Sequence, residues 1–596
     1  MDWSNEVLAS VIWLAKAFCI SMAGLTVLFI GLMRFTQWGR QFSRITLAYF
    51  SPSTSKKPLL WLLLIVLITL ISVRLNVLFS FWYNGFYSAM QKLDAPEFWF
   101  MLVIFSILAT VHVVRTLINA YLNQAFMIQW RLWLTNQFID QWLEKQSYYR
   151  TQFVAENADN PDQRIQQDVD SLVNNSLTLA TGLLNAIVSL FSFTLILWGL
   201  SGPLMLFHVE LPRAMVFLGY LYVIVATTFA VKIGRPLINL SFLNEKFNAD
   251  FRYLLVRVRE YGESIAFYRG EAVERSNLTL RFNNVISNMW AIVFRSLKFQ
   301  GFNLAVSQTA VVFPFIVQAQ RLMNKQLTLG DVMQTVEAFN QVQDALSFFR
   351  TSYSDFASYR AVLIRLNGFL DAIESVSQLP QIHVEYTENH FSTEALTVRT
   401  PHNTVLIENL DVALTSRQSL LIRGKSGAGK TTLLRAIAGL WPHVSGKISR
   451  PTDTDTLFLS QKPYLPIGTL REALFYPADC EALGPKNTDI VAPTVLTQCQ
   501  LGHLIPHLDE TDDWSHILSL GEQQRLAIGR ILINRPRLVF LDEASSAMDE
   551  GLEHAMYQLI KQQLPEAIMI SVGHRTTLLT FHQRELILLG EGKWQL

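Results

Sequence analysis

The sequence predicts an α-helical transmembrane domain followed by an α/β P-loop domain. Six long apolar runs lie between Val7 and Gln318, strand–helix alternation begins after Asp371, and a phosphate-loop pattern sits within that second region. The composition agrees. Of 596 residues, 50% are hydrophobic and 16% charged, against about 25% charged in an average soluble domain. Mean hydropathy is +0.25. This excludes a wholly soluble chain and a disordered one. With 49 basic and 48 acidic residues the net charge is +1, so there is no basic excess of the kind that binds nucleic acid. Cys19, Cys480 and Cys499 are scattered and form neither a disulfide framework nor a metal motif.

The apolar runs are Val7–Met33, Leu59–Trp82, Trp99–Leu122, Leu177–Leu200, Met215–Val231 and Ala291–Gln318. A bilayer core of about 30 Å takes roughly 20 helical residues. The first run follows Asp2 and Glu6 rather than a basic region and contains Lys16, which is not the pattern of a cleaved signal. Arg34, Arg40, Arg44, Lys56 and Lys57 come next, with no acidic residue from Arg34 to Pro58. The excess of Lys and Arg places this loop in the cytoplasm and the N-terminus outside. A seventh, more polar span is expected over Gly330–Arg350. In it Gln334, Glu337, Gln341 and Asp344 recur at three- and four-residue spacing on one helical face. Lipid does not suit such a face; a water-filled translocation path does, and an amphipathic soluble helix is the alternative. Seven spans from an outside N-terminus leave the C-terminal region cytoplasmic. The charge-rich segments Asn123–Ser176 and Lys232–Trp290 fall on the same side, as helical extensions. The boundaries expected are an extra N-terminal helix and linker at 1–58, a transmembrane domain at 59–370, a connector at 371–393 and a nucleotide-binding domain at 394–596.

Gly424-Lys425-Ser426-Gly427-Ala428-Gly429-Lys430-Thr431 matches G-x-x-x-x-G-K-[ST], between the strand pattern SLLIR and the helix pattern TTLLRAIAGL that includes Thr432. Glycines let the backbone wrap phosphate, and N–H groups at a helix start attract the anion. Lys430 is placed to reach the β- and γ-phosphates and Thr431 to ligate Mg²⁺. Downstream, Leu538–Glu543 is an apolar strand ending in two carboxylates. Asp542 there suits Mg²⁺, and Glu543 suits polarising water. Alone, that run reads equally well as a strand with a solvated acidic end.

Between these lies Leu518-Ser-Leu-Gly-Glu-Gln-Gln-Arg525, which resembles the LSGGQ signature of ATP-binding cassette (ABC) proteins. Gln461 resembles the Q-loop, Ser546–Asp549 the D-loop and His574 the switch histidine, all in cassette order. The resemblance implies two cassettes sandwiching two ATP molecules with Mg²⁺. One chain would supply the P-loop, Thr431, Gln461, Asp542, the general base Glu543 and His574. The other would supply Ser519 and Gly521, and Glu522 and Asp549 are further expected nucleotide-binding residues. With one cassette per chain, it implies a homodimeric half-transporter of the α-helical exporter-like fold, with six core helices plus the N-terminal one. Two positions depart from the family pattern. Leu520 stands where Gly is usual, and no adenine-stacking aromatic is evident near Thr400-Pro401-His402.

Phe81–Met90, Trp130–Thr135, Asp159–Ile165 and Glu263–Gly270 are similar to motifs of subfamily D ABC transporters. That group includes fatty-acyl and lysosomal cobalamin transporters and bacterial fused permease–ATPases of the YddA type, related to the SbmA/BacA peptide-uptake permeases. Asp159–Ile165 and Glu263–Glu274 lie on hydrogen-bonding cytoplasmic turns suited to coupling, with a solvated loop as the alternative. The bacterial branch implies the inner membrane, contact with lipid, and import of hydrophilic cargo such as cobalamin, bleomycin or antimicrobial peptides. The alternatives are a lipid or fatty-acyl transporter and a non-translocating ATP-dependent switch. Arg74, Arg115 and Lys16, in or near the spans, are expected either to pair with the acids at Glu337 and Asp344 or to serve anionic groups.

Overall fold

The computed structural model describes residues 3–53, 55–154, 160–202, 204–206, 209–211, 213–380, 382–478, 480 and 485–596. Two compact units form. One comprises 1–142 and 158–371; the other comprises 143–157 and 372–596.

The first unit is helical: α1 (Trp3–Phe35), α2 (Gln37–Thr46), α3 (Lys57–Lys92), α4 (Ala95–Leu143), α5 (Val169–Leu200), α6 (Ala214–Glu260), α7 (Gly262–Tyr268), α8 (Glu271–Met323), α9 (Leu329–Thr351) and α10 (Tyr353–Val376). Among the described residues, 6 helices are long and apolar enough to cross a membrane. They carry the six apolar runs, and α9 is not among them. Ala338, Phe339 and Val342 of α9 are nonetheless buried in the bundle, where Phe339 meets Phe313 of α8 at 5.3 Å. The start of α9 lies hard against α3. A Cβ on Gly330 would stand 2.2 Å from the Asn84 carbonyl oxygen, so only glycine permits the approach.

The N-terminal helix is bound to the bundle by both apolar and polar contacts. Leu14, Phe18 and Met22 pack on Val66 and Leu70 of α3. Arg74 of α3 pairs with Glu6, donates from Nε to Ser10 Oγ at 3.0 Å, and lies over the Trp13 ring. Arg74 therefore does not pair with the acids of α9. A buried cation in a membrane helix needs such a partner, and the extra helix supplies it. The linker after α1 is also ordered. Thr36 caps α2, whose Trp38 and Phe42 meet Phe356 and Tyr359 of α10, while Arg44 pairs with Asp371.

In the second unit the strands of the two larger sheets are β1 (His383–Tyr386), β2 (His390–Arg399), β3 (Val405–Thr415), β4 (Ser419–Gly424), β5 (Val444–Arg450), β6 (Thr456–Leu459), β7 (Leu538–Asp542), β8 (Ile568–Val572), β9 (Arg584–Gly590) and β10 (Lys593–Gln595). One sheet runs β10-β9-β4-β8-β7-β6 and is parallel except at β10. The other runs β1-β5-β2-β3. Near-continuous apolar strands such as LVFLD and IMISV are what a parallel sheet covered on both faces requires. The polar stretch 371–393 is not a bare connector. It holds the end of α10, and β1 pairs in register with β5, His383 opposite Lys447. Its polarity reflects an edge strand with one solvated face.

His582 bridges this core. Its ring nitrogens lie 2.7 Å from the Leu578 carbonyl oxygen and 2.9 Å from Ser571 Oγ. Burial, with Lys561 adding to it, pulls its pKa down to about 4. An unfolded histidine titrates near 6.5, so between pH 6.5 and 4 the unfolded chain binds the extra proton. Stability from the neutral ring is full above pH 6.5 and is lost as pH falls through that window, by about 2–3 kcal/mol. The cassette unfolding midpoint should fall between pH 7 and 5, and fall less in His582→Gln. Equal slopes in the two proteins would contradict this.

Candidate nucleotide site

The P-loop joins β4 to α11 (Lys430–Ile437). Gly427 and Gly429 have φ of 82° and 94°, which a side chain would strain. A Cβ on Gly429 would also stand 3.3 Å from Leu406. Lys425, Ser426 and Gly427 are exposed, whereas Ala428 is buried on the sheet side. Lys430 folds back so that Nζ donates to the carbonyls of Gly424 at 3.0 Å and Lys425 at 3.3 Å. These carbonyls hold the ammonium where phosphate oxygens would replace them. Thr432 follows in the first turn, half-buried. A cleft of about 530 Å³ opens here between Gly424–Ser426, His574 and an ion pair of Arg423 with Glu585 at 2.8 Å.

The end of β7 places Asp542 Oδ1 3.5 Å from Thr431 Oγ1. Burial raises the Asp542 pKa, and the neighbouring Glu543 raises it further. A cation there would relieve both. Hydroxyl, carboxylate and the amide oxygen of Gln461 are hard donors, and Mg²⁺ typically takes one or two protein groups plus phosphate oxygens and water. Among the described residues no cluster of three His, Cys, Asp or Glu side chains offers a metal cage. The donor set therefore fits a cation completed by nucleotide.

Glu543 leaves the strand at φ 49°, a conformation costing about 1–3 kcal/mol for a non-glycine residue. Its N–H donates to the Val572 carbonyl at 3.1 Å, which fixes the turn against β8. Its carboxylate accepts from Gln461 Nε2 at 3.1 Å and stands 3.4 Å from His574 Nε2. The sequence-predicted base, switch histidine and Q-loop glutamine thus meet at one carboxylate.

Ser519 caps α12 (Leu520–Asn534) in a reciprocal box with Glu522. Ser519 Oγ donates to Glu522 Oε2 at 2.7 Å, and His503 Nε2 lies 3.0 Å from the other oxygen. Leu520 is 40% exposed, so the departure from glycine meets solvent in a single chain. A Cβ on Gly521 would come to 3.0 Å from the Ala547 carbonyl oxygen. Asp549 is engaged as a helix cap, accepting from Leu552 N at 2.7 Å. His402 stands exposed in the turn closed by Thr400 N–H donating to the Thr404 carbonyl at 2.8 Å.

The ABC transporter transmembrane region 2 family model matches residues 45–323, and the ABC transporter model matches 407–546. An uncharacterised ABC transporter ATP-binding protein of Haemophilus influenzae is 48% identical, covering 100% of both chains. The chain belongs to the ABC transporter family. ABC transporter D family member 2, chloroplastic, of Arabidopsis thaliana is 32% identical over 92% of this chain and 86% of that one, which puts it in the subfamily D type. A bacterial Atm1-family ABC exporter with ATP bound shares the fold at TM-score 0.70 and 16% identity, covering 89% of this chain and 93% of that one. The protein is thus a multi-pass ABC half-transporter that binds ATP and couples its hydrolysis to transport.

Two features of the ABC cassette escaped the sequence reading. Gln524, 1% exposed, donates from Nε2 to the Gln461 carbonyl at 2.8 Å and Ser546 Oγ at 3.1 Å, and accepts from Ala547 N at 3.0 Å. One amide so ties the signature helix to the Q-loop and D-loop. Its presence within the signature stretch was the only available signal. The second feature is the segment after α4. Arg150 Nη2 donates to the Gly439 carbonyl at 2.7 Å, and the Phe153 ring meets Trp441 edge-on at 5.1 Å. Of the expected coupling turn Asp159–Ile165, Asp159 lies outside the described residues. Arg164 is bonded internally to Asp168 at 2.6 Å.

The stripe on α9 divides. Gln334 is buried and accepts from Asn84 Nδ2 at 2.8 Å, so it packs helices together instead of facing open space. Glu337 is half-buried and accepts from Gln341 Nε2 at 2.9 Å, and Asp344 is exposed.

Proposed function

We propose that this ABC transporter works as a homodimer in a bacterial inner membrane, N-terminus outside and cassettes cytoplasmic, importing hydrophilic or cationic compounds of the cobalamin, bleomycin or peptide type. In this reading ATP and Mg²⁺ occupy two equivalent sites. Lys430 and the P-loop amides hold phosphate. Thr431, Asp542 and Gln461 hold the cation, which stabilises charge on the phosphates. Glu543 takes a proton from the attacking water, with His574 beside it. Ser519 and Gly521 of the partner subunit close the site, their helix start facing phosphate.

The observation that carries the cargo reading is the pair Glu337 and Asp344, accessible on a helix whose Ala338, Phe339 and Val342 are buried in the bundle. Carboxylates at membrane depth are costly unless they face water or cargo. They suit cations and amides. An acyl-CoA, anionic and half apolar, matches them poorly. The double variant Glu337→Gln, Asp344→Asn in proteoliposomes should raise the KM for a labelled cationic peptide about tenfold or more, as expected for losing about 1.4 kcal/mol of attraction. Unchanged uptake, or stimulation of wild-type ATPase by acyl chains and not by peptide or cobalamin, would overturn the reading.

A further inference from the structure

The protein-facing side of α4 changes character along its length. Met101 and Leu108 on that side are buried, as are Phe126, Trp130 and Leu134 further on. Between them the same face carries His112, Arg115, Asn119 and Asn123, at three- and four-residue spacing, and all four are half-buried. The opposite face, with Val103, Ile107, Val111, Val114 and Leu117 exposed, is what lipid requires. The inner face of α4 is thus polar and half-buried rather than buried along one stretch. That stretch is about 16 Å long at 1.5 Å per residue.

Two polar atoms in this stripe are unsatisfied. His112 Nδ1 and Arg115 Nε are buried without a hydrogen-bond partner among the described residues. Arg115 has its Nη2 on Thr116 Oγ1 at 2.9 Å, and Asn123 donates from Nδ2 to Asn119 Oδ1 at 2.9 Å. Among the described residues no carboxylate pairs with Arg115, unlike Arg74, which Glu6 neutralises. An uncompensated guanidinium in a membrane segment is costly and marks a functional contact.

The stripe shares a wall with the acids of α9. His112 meets the ring of Phe79 at 6.1 Å. One turn along α3 from Phe79 is Tyr83, which stacks on Tyr87 at 6.3 Å, and between them Asn84 donates to Gln334 of α9 at 2.8 Å. Positions 79, 83 and 87 fall on one helical face. An aromatic wall therefore runs between a cationic stripe and an acidic one.

We infer that His112 and Arg115 form an anion-binding side of the cargo path, taking a carboxylate or phosphate on a molecule whose cationic or amide groups face Glu337 and Asp344. The inference rests on the import reading and sharpens it, since the cargo must carry both kinds of group. Arg115 forms charge-assisted, bidentate-capable bonds to such an anion, and His112 adds a donor.

The first test needs no cargo. Asn119→Cys is made in a Cys19→Ser, Cys480→Ser, Cys499→Ala background and treated with thiosulfonates, one bearing a sulfonate and one a quaternary ammonium. The sulfonate should react faster by about tenfold, and Arg115→Gln should bring the ratio toward one. No reaction with either reagent, or a ratio indifferent to Arg115, overturns the inference. A second test compares uptake of a cationic peptide as its free C-terminal acid, its C-terminal amide and its phosphoserine form. Wild type should prefer the acid or the phosphorylated form over the amide, which separates the two anion sources. Arg115→Gln should erase that preference, and Arg115→Lys should restore part of it. A preference that persists in Arg115→Gln also overturns it. Charge-selective labelling without any peptide flux would sink the import reading while leaving the anion site standing.

Discussion

Glu543→Gln will lower ATP hydrolysis by about 10²–10⁴-fold while nucleotide binding persists, the range expected for losing a general base. The carboxylate is held from two sides, by Gln461 Nε2 at 3.1 Å and His574 Nε2 at 3.4 Å, and its turn is pinned through the Val572 carbonyl. Glutamine keeps the size and can still bond Gln461, so the strained turn should survive. What it loses is the capacity to accept a proton. In the proposed site other residues, led by Lys430, hold the phosphates, so affinity for ATP should change little. Hydrolysis measured beside nucleotide affinity separates the two. A variant that hydrolyses within threefold of wild type would remove Glu543 from the base role.

Asp168→Ala will destabilise the membrane unit by about 3 kcal/mol, near the lower end of the range for breaking a buried ion pair. Asp168 is 2% exposed and sits where a π-turn, Arg164–Asp168, leads into α5. Its carboxylate accepts from Arg164 Nη1 at 2.6 Å and from Arg365 of α10 at 2.9 Å and 2.6 Å, a bidentate grip. Removing it deletes the carboxylate to which Arg164, itself 7% exposed, donates. Arg365 is 40% exposed at its side chain, and solvent screening there keeps the cost from the top of the range. Asp170 gives the comparison. It meets Arg131 at 2.9 Å with both side chains above 40% exposed, so Asp170→Ala should cost under about 1 kcal/mol. Thermal unfolding of both variants checks this. Equal midpoints would show that burial does not set the difference.

The chemistry of the cassette was legible because it is written locally. Gly424–Thr431, Ser519–Glu522 and Asp542–Glu543 are short runs whose spacing carries the phosphate and carboxylate geometry, and six apolar runs were long enough to mark helices. What stayed hidden depends on residues far apart in the chain. Gln334 reads as one member of a polar face, and only the approach of Asn84 shows that it packs helices together. Arg74 reads as a membrane cation in need of an acid, yet its partner is Glu6, on a helix the exporter-like core does not require. Gln524 looked like one more polar residue in a signature, and its bonds to Gln461, Ser546 and Ala547 appear only in three dimensions. The polarity of 371–393 concealed β1 because an edge strand with one solvated face lacks a strong apolar run.

The most direct test of ATP-driven import is ATP-dependent release from preloaded proteoliposomes whose cassettes face the ATP outside. Such vesicles are inverted relative to the cell, so a loaded lumen must empty when ATP is added. Labelled cobalamin or a cationic peptide should leave wild-type vesicles on ATP addition and stay in Glu543→Gln vesicles. ATP-dependent accumulation inside the vesicles would contradict the direction. Hydrolysis by wild type without movement of either cargo would contradict the import of hydrophilic compounds itself.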